Sequence, residues 1–427
     1  MIGWPVSTGR SYVPMPYVHP GRTRALQGHR APATAGEDGV VSALSLPPVP
    51  YHATAVRPHW AQLPAELRAA VTERLGAPIT EATRAGGGFT QGFAGVLGTA
   101  TGDRVFVKTA SLTDPGGLAD TYAWEAAVTA ALPTGIRVAR PRWTLAVAGH
   151  FVLCLDAVDG AMPTLPWSPG ALAATLDAYA AAAKALRDPP PALVALRPPT
   201  LSDLARNHLT GWQELAATES AAPEPAPPRA QSVAPRPGGD PHAGDDGRGD
   251  GSGHTATTDP TRAAPVRADS PDDGRRSDDR GGSDLLELAR ARLAELAALE
   301  ALLPAYARQP GMIHGDLRLD NVLIDARGAA WFCDWTWVCF GPAWFDLASL
   351  LVTAYASGLA ADAMFAAHPA ARDAPADALD VSLAALSGYW LTAATADSGT
   401  ASPHIRAHQR WSGTMALAWL ARRRGWR

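Results

Sequence analysis

The amino-acid sequence predicts an α+β fold of two lobes, a small antiparallel sheet followed by a mainly helical half. Three observations carry that expectation. Between residues 79 and 156, short apolar runs alternate with glycine-bearing turns, as in hairpin-linked strands. From about residue 200 onward, apolar residues recur at helical spacing. A single polar hairpin interrupts those helices near residue 325. With 427 residues, 47% of them hydrophobic, the chain can supply core enough for two lobes.

Residues 1–57 are rich in Pro, Gly and Arg without apolar period, so a disordered N-terminal tail is expected there. The first lobe is expected over 58–155. It opens with "PAELRAAVTERLG", a short amphipathic helix. "ITEATRAGGGFTQGFAGVLGTATGDRVFVKTA" then reads as strand, glycine loop, strand, turn at Thr101-Gly102-Asp103, and strand. "GGLADTYAWEAAVTAAL" has the spacing of a helix through Trp124 and Val128, and "HFVLCLDAVDG" is an apolar strand ending in a turn at Asp159-Gly160.

The second lobe is expected over 156–427, interrupted by a disordered insert at 217–282. Between Leu215 and Leu285 the only apolar residues larger than Ala, prolines apart, are Val233 and Val266. Too little surface can be buried there to offset the entropy of ordering the chain. "SDLLELARARLAELAALEALLPAYA" resumes a helix with Leu286, Leu293, Leu296 and Leu303 on one stripe. "VLID", a turn at Ala326-Arg327-Gly328, and "AWFCDW" make the polar hairpin.

Composition narrows the function. The formal charge of −4 leaves no footprint for nucleic acid. No window approaches the ~18 uninterrupted apolar residues of a membrane span. The first residues hold neither an apolar core nor an early basic cluster, so no signal peptide is expected. Cys154, Cys333 and Cys339 lie in apolar surroundings without metal-ligand pairing, as buried thiols of a reducing compartment do, and a cytoplasmic location is expected. Of 37 Lys and Arg residues only Lys108 and Lys184 are lysine, so each is informative. Lys184 lies in an alanine-rich helical run as a solvated charge; Lys108 ends the strand "RVFVK".

"GMIHGDLRLDNVLID", residues 311–325, sets Asp316, Arg318 and Asn321 on one short loop between apolar blocks. Asp334 emerges from the aromatic strand across the hairpin, where a carboxylate needs a partner or a cation. Asn321 and Asp334 offer hard oxygens suited to Mg²⁺ rather than zinc. Asp316 is left to accept a proton or orient a hydroxyl. An Asp, an Asn five residues on, and a second Asp beyond a hairpin is the pattern of kinase-type phosphoryl transfer.

"HGDLRLDN" with "FCDW" resembles the aminoglycoside phosphotransferase family, kinase-like enzymes that phosphorylate small molecules. The likeness covers about 60–215 and 284–427. It implies a protein-kinase-like fold, ATP and Mg²⁺ as cofactors, and a small-molecule hydroxyl as acceptor. Asp316 would be the catalytic base, Asn321 and Asp334 the metal ligands, and His314 a prop for the loop. Lys108 would hold the nucleotide phosphates and pair with Glu125 on the following helix. Arg318 stands where a cation faces the transferred phosphate in protein kinases, or else is a surface arginine.

"GGGFTQG" is either a phosphate loop, with Gly88 giving close approach and Thr90 a donor, or a plain glycine turn. The segment from Asp156 to Gly160 would join the lobes and, as the resemblance implies, meet the adenine with its backbone. A catalytically silent nucleotide-binding module is the alternative reading. From residue 284 on, fourteen acidic residues face twelve arginines, too weak a field to single out a polycationic acceptor. The acceptor and the oligomeric state are not legible in the sequence.

Overall fold

The computed structural model describes residue 47 and residues 49–220, 284–396 and 402–427. The insert expected at 217–282 falls almost wholly outside the described residues, as does most of the expected tail.

The first lobe is a five-stranded antiparallel sheet in the order β1-β2-β3-β5-β4. Its strands are β1 (Ile79–Arg84), β2 (Phe93–Thr99), β3 (Arg104–Ser111), β4 (Pro141–Val147) and β5 (His150–Asp156). Side chains alternate across a strand, and here each face has its own core. Val105 and Val107 of β3 join Val152 and Cys154 of β5 beneath helix α1 (Ala65–Leu75). Ala110, Leu153 and Leu155 face the other way, against Ala119, Tyr122 and Ala126 of α2 (Leu118–Ala131). Lys108 shares the parity of Ala110 and therefore points at α2. That parity sets the site.

The backbone turns where the sequence indicates. Gly102, with φ +85°, closes the β2–β3 hairpin, and Gly76, with φ +72°, ends α1.

After the strand end at Asp156, β6 (Gly160–Ala161) pairs with β8 (Val322–Asp325), which pairs in turn with β9 (Ala330–Phe332). Asp325 accepts from the backbone amides of Arg327 and Ala329 and so folds the tip of this hairpin. A two-stranded pair, β7 (Met312–Ile313) with β10 (Cys339–Phe340), frames the loop between. Helices make the rest of the second lobe: α3 (Pro169–Ala185), α4 (Pro191–Val194), α5 (Leu201–His208), α6 (Gly211–Ser220), α7 (284–291), α8 (Leu293–Tyr306), α9 (Ala343–Ala356), α10 (Ala361–Ala367), α11 (Ala378–Ala393) and α12 (Ile405–Arg424). No described helix is long and apolar enough to cross a membrane.

Two boundaries differ from expectation. The expected tail ends early: Val49, Tyr51 and Thr54 are buried, with the first two in the core of the second lobe. Their partners are far along the chain, so local composition misses them. The helix expected from 284 breaks at Arg292, which separates α7 from α8. Leu293, Leu296 and Leu303 are buried as the stripe requires, but before the break Leu285 replaces Leu286 as the buried position.

Candidate active site

Lys108 and Glu125 meet between β3 and α2. The Lys108 Nζ donates to both Glu125 carboxylate oxygens at 2.7 Å. Glu125 is only 2% exposed, which leaves its charge no solvent to lean on. Burial opposes the lysine's charge, but Glu125, then Asp334 and Tyr122, hold its pKa above the ordinary value. The Tyr122 ring lies 5.4 Å from the ammonium.

The second lobe meets this pair across the cleft. Asp334 Oδ1 stands 3.5 Å from Lys108 Nζ. Asp334 adopts the left-handed backbone region, φ +62°, which few non-glycine residues enter and which swings its carboxylate out of the β9 line. Its side chain keeps 44% exposure, so it is open to a ligand from the cleft. Just beyond, the Thr336 carbonyl accepts from Trp124 Nε1 of α2, a second tie between the lobes.

The loop before β8 is built from inside. Asp346, buried at the start of α9, accepts from the backbone amides of His314 at 2.7 Å and Gly315 at 3.0 Å. Burial lifts its pKa to about 7, against the pull of those two amides. His314 bonds the Cys333 carbonyl through Nε2 at 2.9 Å, while its Nδ1 faces the Asp316 amide at 3.3 Å. A carbonyl only accepts, so Nε2 carries the proton and Nδ1 accepts. Burial takes the His314 pKa down to about 4, which keeps the ring neutral. This imidazole joins the Asp316 turn to the strand that leads into Asp334.

On that support, Asn321 Nδ2 donates to the Asp316 carbonyl at 2.8 Å and approaches Asp316 Oδ2 at 3.4 Å. Both contacts use the amide nitrogen, which leaves the amide oxygen for a ligand. Arg318 reaches Asp316 Oδ1 at 2.5 Å and grips both oxygens of Asp320 at 3.0 Å. Burial is the largest influence on Asp316 and lifts its pKa to about 7, against the lowering by Arg318. Burial would raise Asp320 too, but the bidentate arginine outweighs it and brings the pKa down to about 2. Asp320 therefore fixes Arg318 as a cation beside Asp316, a role the sequence reading missed.

Among the described residues no three His, Cys, Asp or Glu side chains converge on one point. The donor set for a hard cation is the Asn321 oxygen and the Asp334 carboxylate. Magnesium commonly takes one or two protein oxygens and fills its shell from phosphates and water, so the pair fits.

Asp156 and Thr90, also expected at the nucleotide site, make separate contacts. Asp156 ends β5 with its carboxylate on Arg142 Nε, 2.7 Å away, on the β4 side of the sheet; its side chain does not join the cluster. Thr90 Oγ1 lies 3.4 Å from the Tyr122 hydroxyl. Gly88, with φ +93°, turns the glycine loop, and its carbonyl accepts from Thr54. Cys154 and Cys333 are thiols that burial pushes up to about 12, away from reactivity.

A family model described as the phosphotransferase enzyme family matches residues 92–379. Among solved structures, an aminoglycoside phosphotransferase from Alicyclobacillus acidocaldarius aligns at 14% identity, covering 81% of this chain and 92% of its own, with a TM-score of 0.43. One from Streptomyces rimosus, in complex with ADP and streptomycin, aligns at 19% identity, covering 76% and 98%, with a TM-score of 0.40. No curated protein matches at significance. The family match spans most of the chain and takes in Lys108, Glu125, the 311–325 loop and Asp334, all within the two-lobed α+β fold: this chain belongs to the phosphotransferase enzyme family.

Proposed function

We propose that the chain transfers the γ-phosphate of ATP to a hydroxyl of a small molecule, of the aminoglycoside or metabolite kind. The observation that carries this reading is the approach of Lys108, paired to Glu125, to within 3.5 Å of Asp334 in the opposite lobe. An ammonium, a metal-competent carboxylate and the Asp316 loop thereby border one cleft, as a triphosphate with a divalent cation requires.

Each residue then has a task. Lys108 grips the nucleotide phosphates, with Glu125 holding its ammonium in place. Asn321 and Asp334 would hold Mg²⁺, which when bound neutralises phosphate charge and aligns the transferred group. Asp316 accepts the hydroxyl proton of the acceptor. A pKa of about 7 suits a base working near neutrality, because it is both deprotonated enough and basic enough. Arg318, held by Asp320, lies beside that base with charge to offer the phosphoryl group in flight. His314 and Asp346 keep the loop rigid without touching substrate.

The test is a screen of aminoglycosides and hydroxylated metabolites with Mg-ATP, reading ADP release, with Lys108→Met as control. An acceptor that stimulates ADP release in the wild type and not in the control supports the reading. If no acceptor lifts the wild type above that control, the enzymatic reading fails.

A further inference from the structure

The glycine loop is held from outside its own lobe. Residues 54–57 run along it and take up four of its carbonyls. The Ala55 amide donates to the Gly86 carbonyl at 2.8 Å and Thr54 Oγ1 to that of Gly88 at 3.2 Å. Arg57 spans the loop, with one terminal nitrogen on the Gly92 carbonyl at 2.9 Å and the other on Gly87 at 3.2 Å. The approach demands glycine at Gly86, where a Cβ would sit 2.0 Å from the His52 backbone carbonyl, and the backbone demands it at Gly88, where φ is +93°. The far end of this strap is anchored in the second lobe. The Tyr51 hydroxyl lies 2.8 Å from His408 Nδ1 of α12, and Ser402 Oγ donates to the Thr54 carbonyl.

In a trans peptide the carbonyl of one residue and the amide of the next point in opposite directions. With the carbonyls of Gly86, Gly87 and Gly88 turned onto the strap, the amides of Gly87, Gly88 and Phe89 face away from it. None of these three amides donates a hydrogen bond among the described residues. Successive free amides turned to one side of a loop suit an anion. Arg57 adds a positive charge behind them. Its terminal nitrogens rest on carbonyls rather than on a carboxylate, and its Nε–H is buried without a partner among the described residues.

We infer that Arg57 is a positioning residue of the phosphate site: it holds the glycine loop with its carbonyls averted and its amides presented to the nucleotide's phosphates. This rests on the reading of the cleft as an ATP site. It places a determinant of phosphate affinity in a segment whose composition resembles a tail.

Calorimetric titration of the full chain with ATP and, separately, with adenosine tests it. Arg57→Ala is expected to weaken ATP binding about 10-fold while adenosine affinity holds, because only phosphates feel the loop amides. Arg57→Lys, which keeps the charge without the two-carbonyl fork, is expected to recover only part of the loss. If Arg57→Ala does not fold, Arg57→Lys alone carries the test through the same ATP-against-adenosine split. Unchanged ATP affinity in the folded variant, or equal weakening of ATP and adenosine, overturns the role given to Arg57 and leaves the kinase reading intact. A wild-type chain that binds neither ligand overturns both.

Discussion

Lys108 Nζ touches two carboxylates from opposite lobes, Glu125 at 2.7 Å and Asp334 at 3.5 Å. The first contact is nearly closed to solvent and the second is not. Glu125 is thus a fixed structural partner, whereas Asp334 keeps solvent access and, on the proposed function, would exchange the ammonium for a metal ion.

Removing the ammonium strands a buried carboxylate. Lys108→Met is expected to abolish turnover and to destabilise the fold by about 3–5 kcal/mol, the usual cost of breaking a buried pair on one side. Adding Glu125→Gln is expected to restore most of that stability without restoring activity. Urea denaturation beside an ADP-release assay checks it; equal stability in the single and double variants would show that the pair is not coupled.

Asp316→Ala is expected to lower kcat about 10²- to 10⁴-fold with ATP affinity close to that of the wild type. Asp316 contacts Arg318 and Asn321 but neither Lys108 nor Glu125, so the nucleotide grip should survive. Single-turnover rates and calorimetric ATP affinity separate the two effects. A near-normal rate would remove Asp316 from the chemistry.

Glu300 gives the fold a pH dependence unrelated to catalysis. Buried in α8, it accepts from the backbone amides of Trp212 and Gln213 at the start of α6. Burial raises its pKa to about 7 despite those donors. A carboxyl whose folded pKa lies above its unfolded value binds more protons when folded. Its contribution therefore favours folding at low pH and is lost as pH rises from about 4.5 through 7. Glu300→Gln is expected to flatten this part of the curve, seen as a smaller drop in Tm between pH 5 and pH 7.5 than in the wild type. An unchanged slope would assign the effect to other groups.

What the sequence made legible was mostly local. Four of the five strands and their turns followed from short apolar runs and from Gly76 and Gly102, whereas the edge strand β4 was not expected. The Asp316–Asn321 spacing and the Asp334 hairpin were visible because all three lie within one short stretch of chain. Lys108 and Glu125 were found by order along the chain, and strand parity explains why they meet. Tyr51 was hidden because its partner His408 is 357 residues away and nothing around Tyr51 is periodic. Arg57 was hidden for the same reason, since its partners are backbone carbonyls, which carry no residue signature. Asp320 was in plain view within "HGDLRLDN", but its importance depends on the direction in which Arg318 points. The Asp156 side chain is taken up by Arg142 on the neighbouring strand, a charged bond at 2.7 Å, which leaves the expected adenine contact of that segment to its backbone.

The scarcity of lysine gives the cleft a chemical address. Lys184 is exposed on α3, whereas the Lys108 ammonium is shielded and kept protonated by Glu125. A freely diffusing acylating reagent should therefore modify Lys184 and spare Lys108. An electrophile tethered to adenosine should reverse that preference, and peptide mass mapping of this one-against-one competition would report occupancy of the cleft without any knowledge of the acceptor.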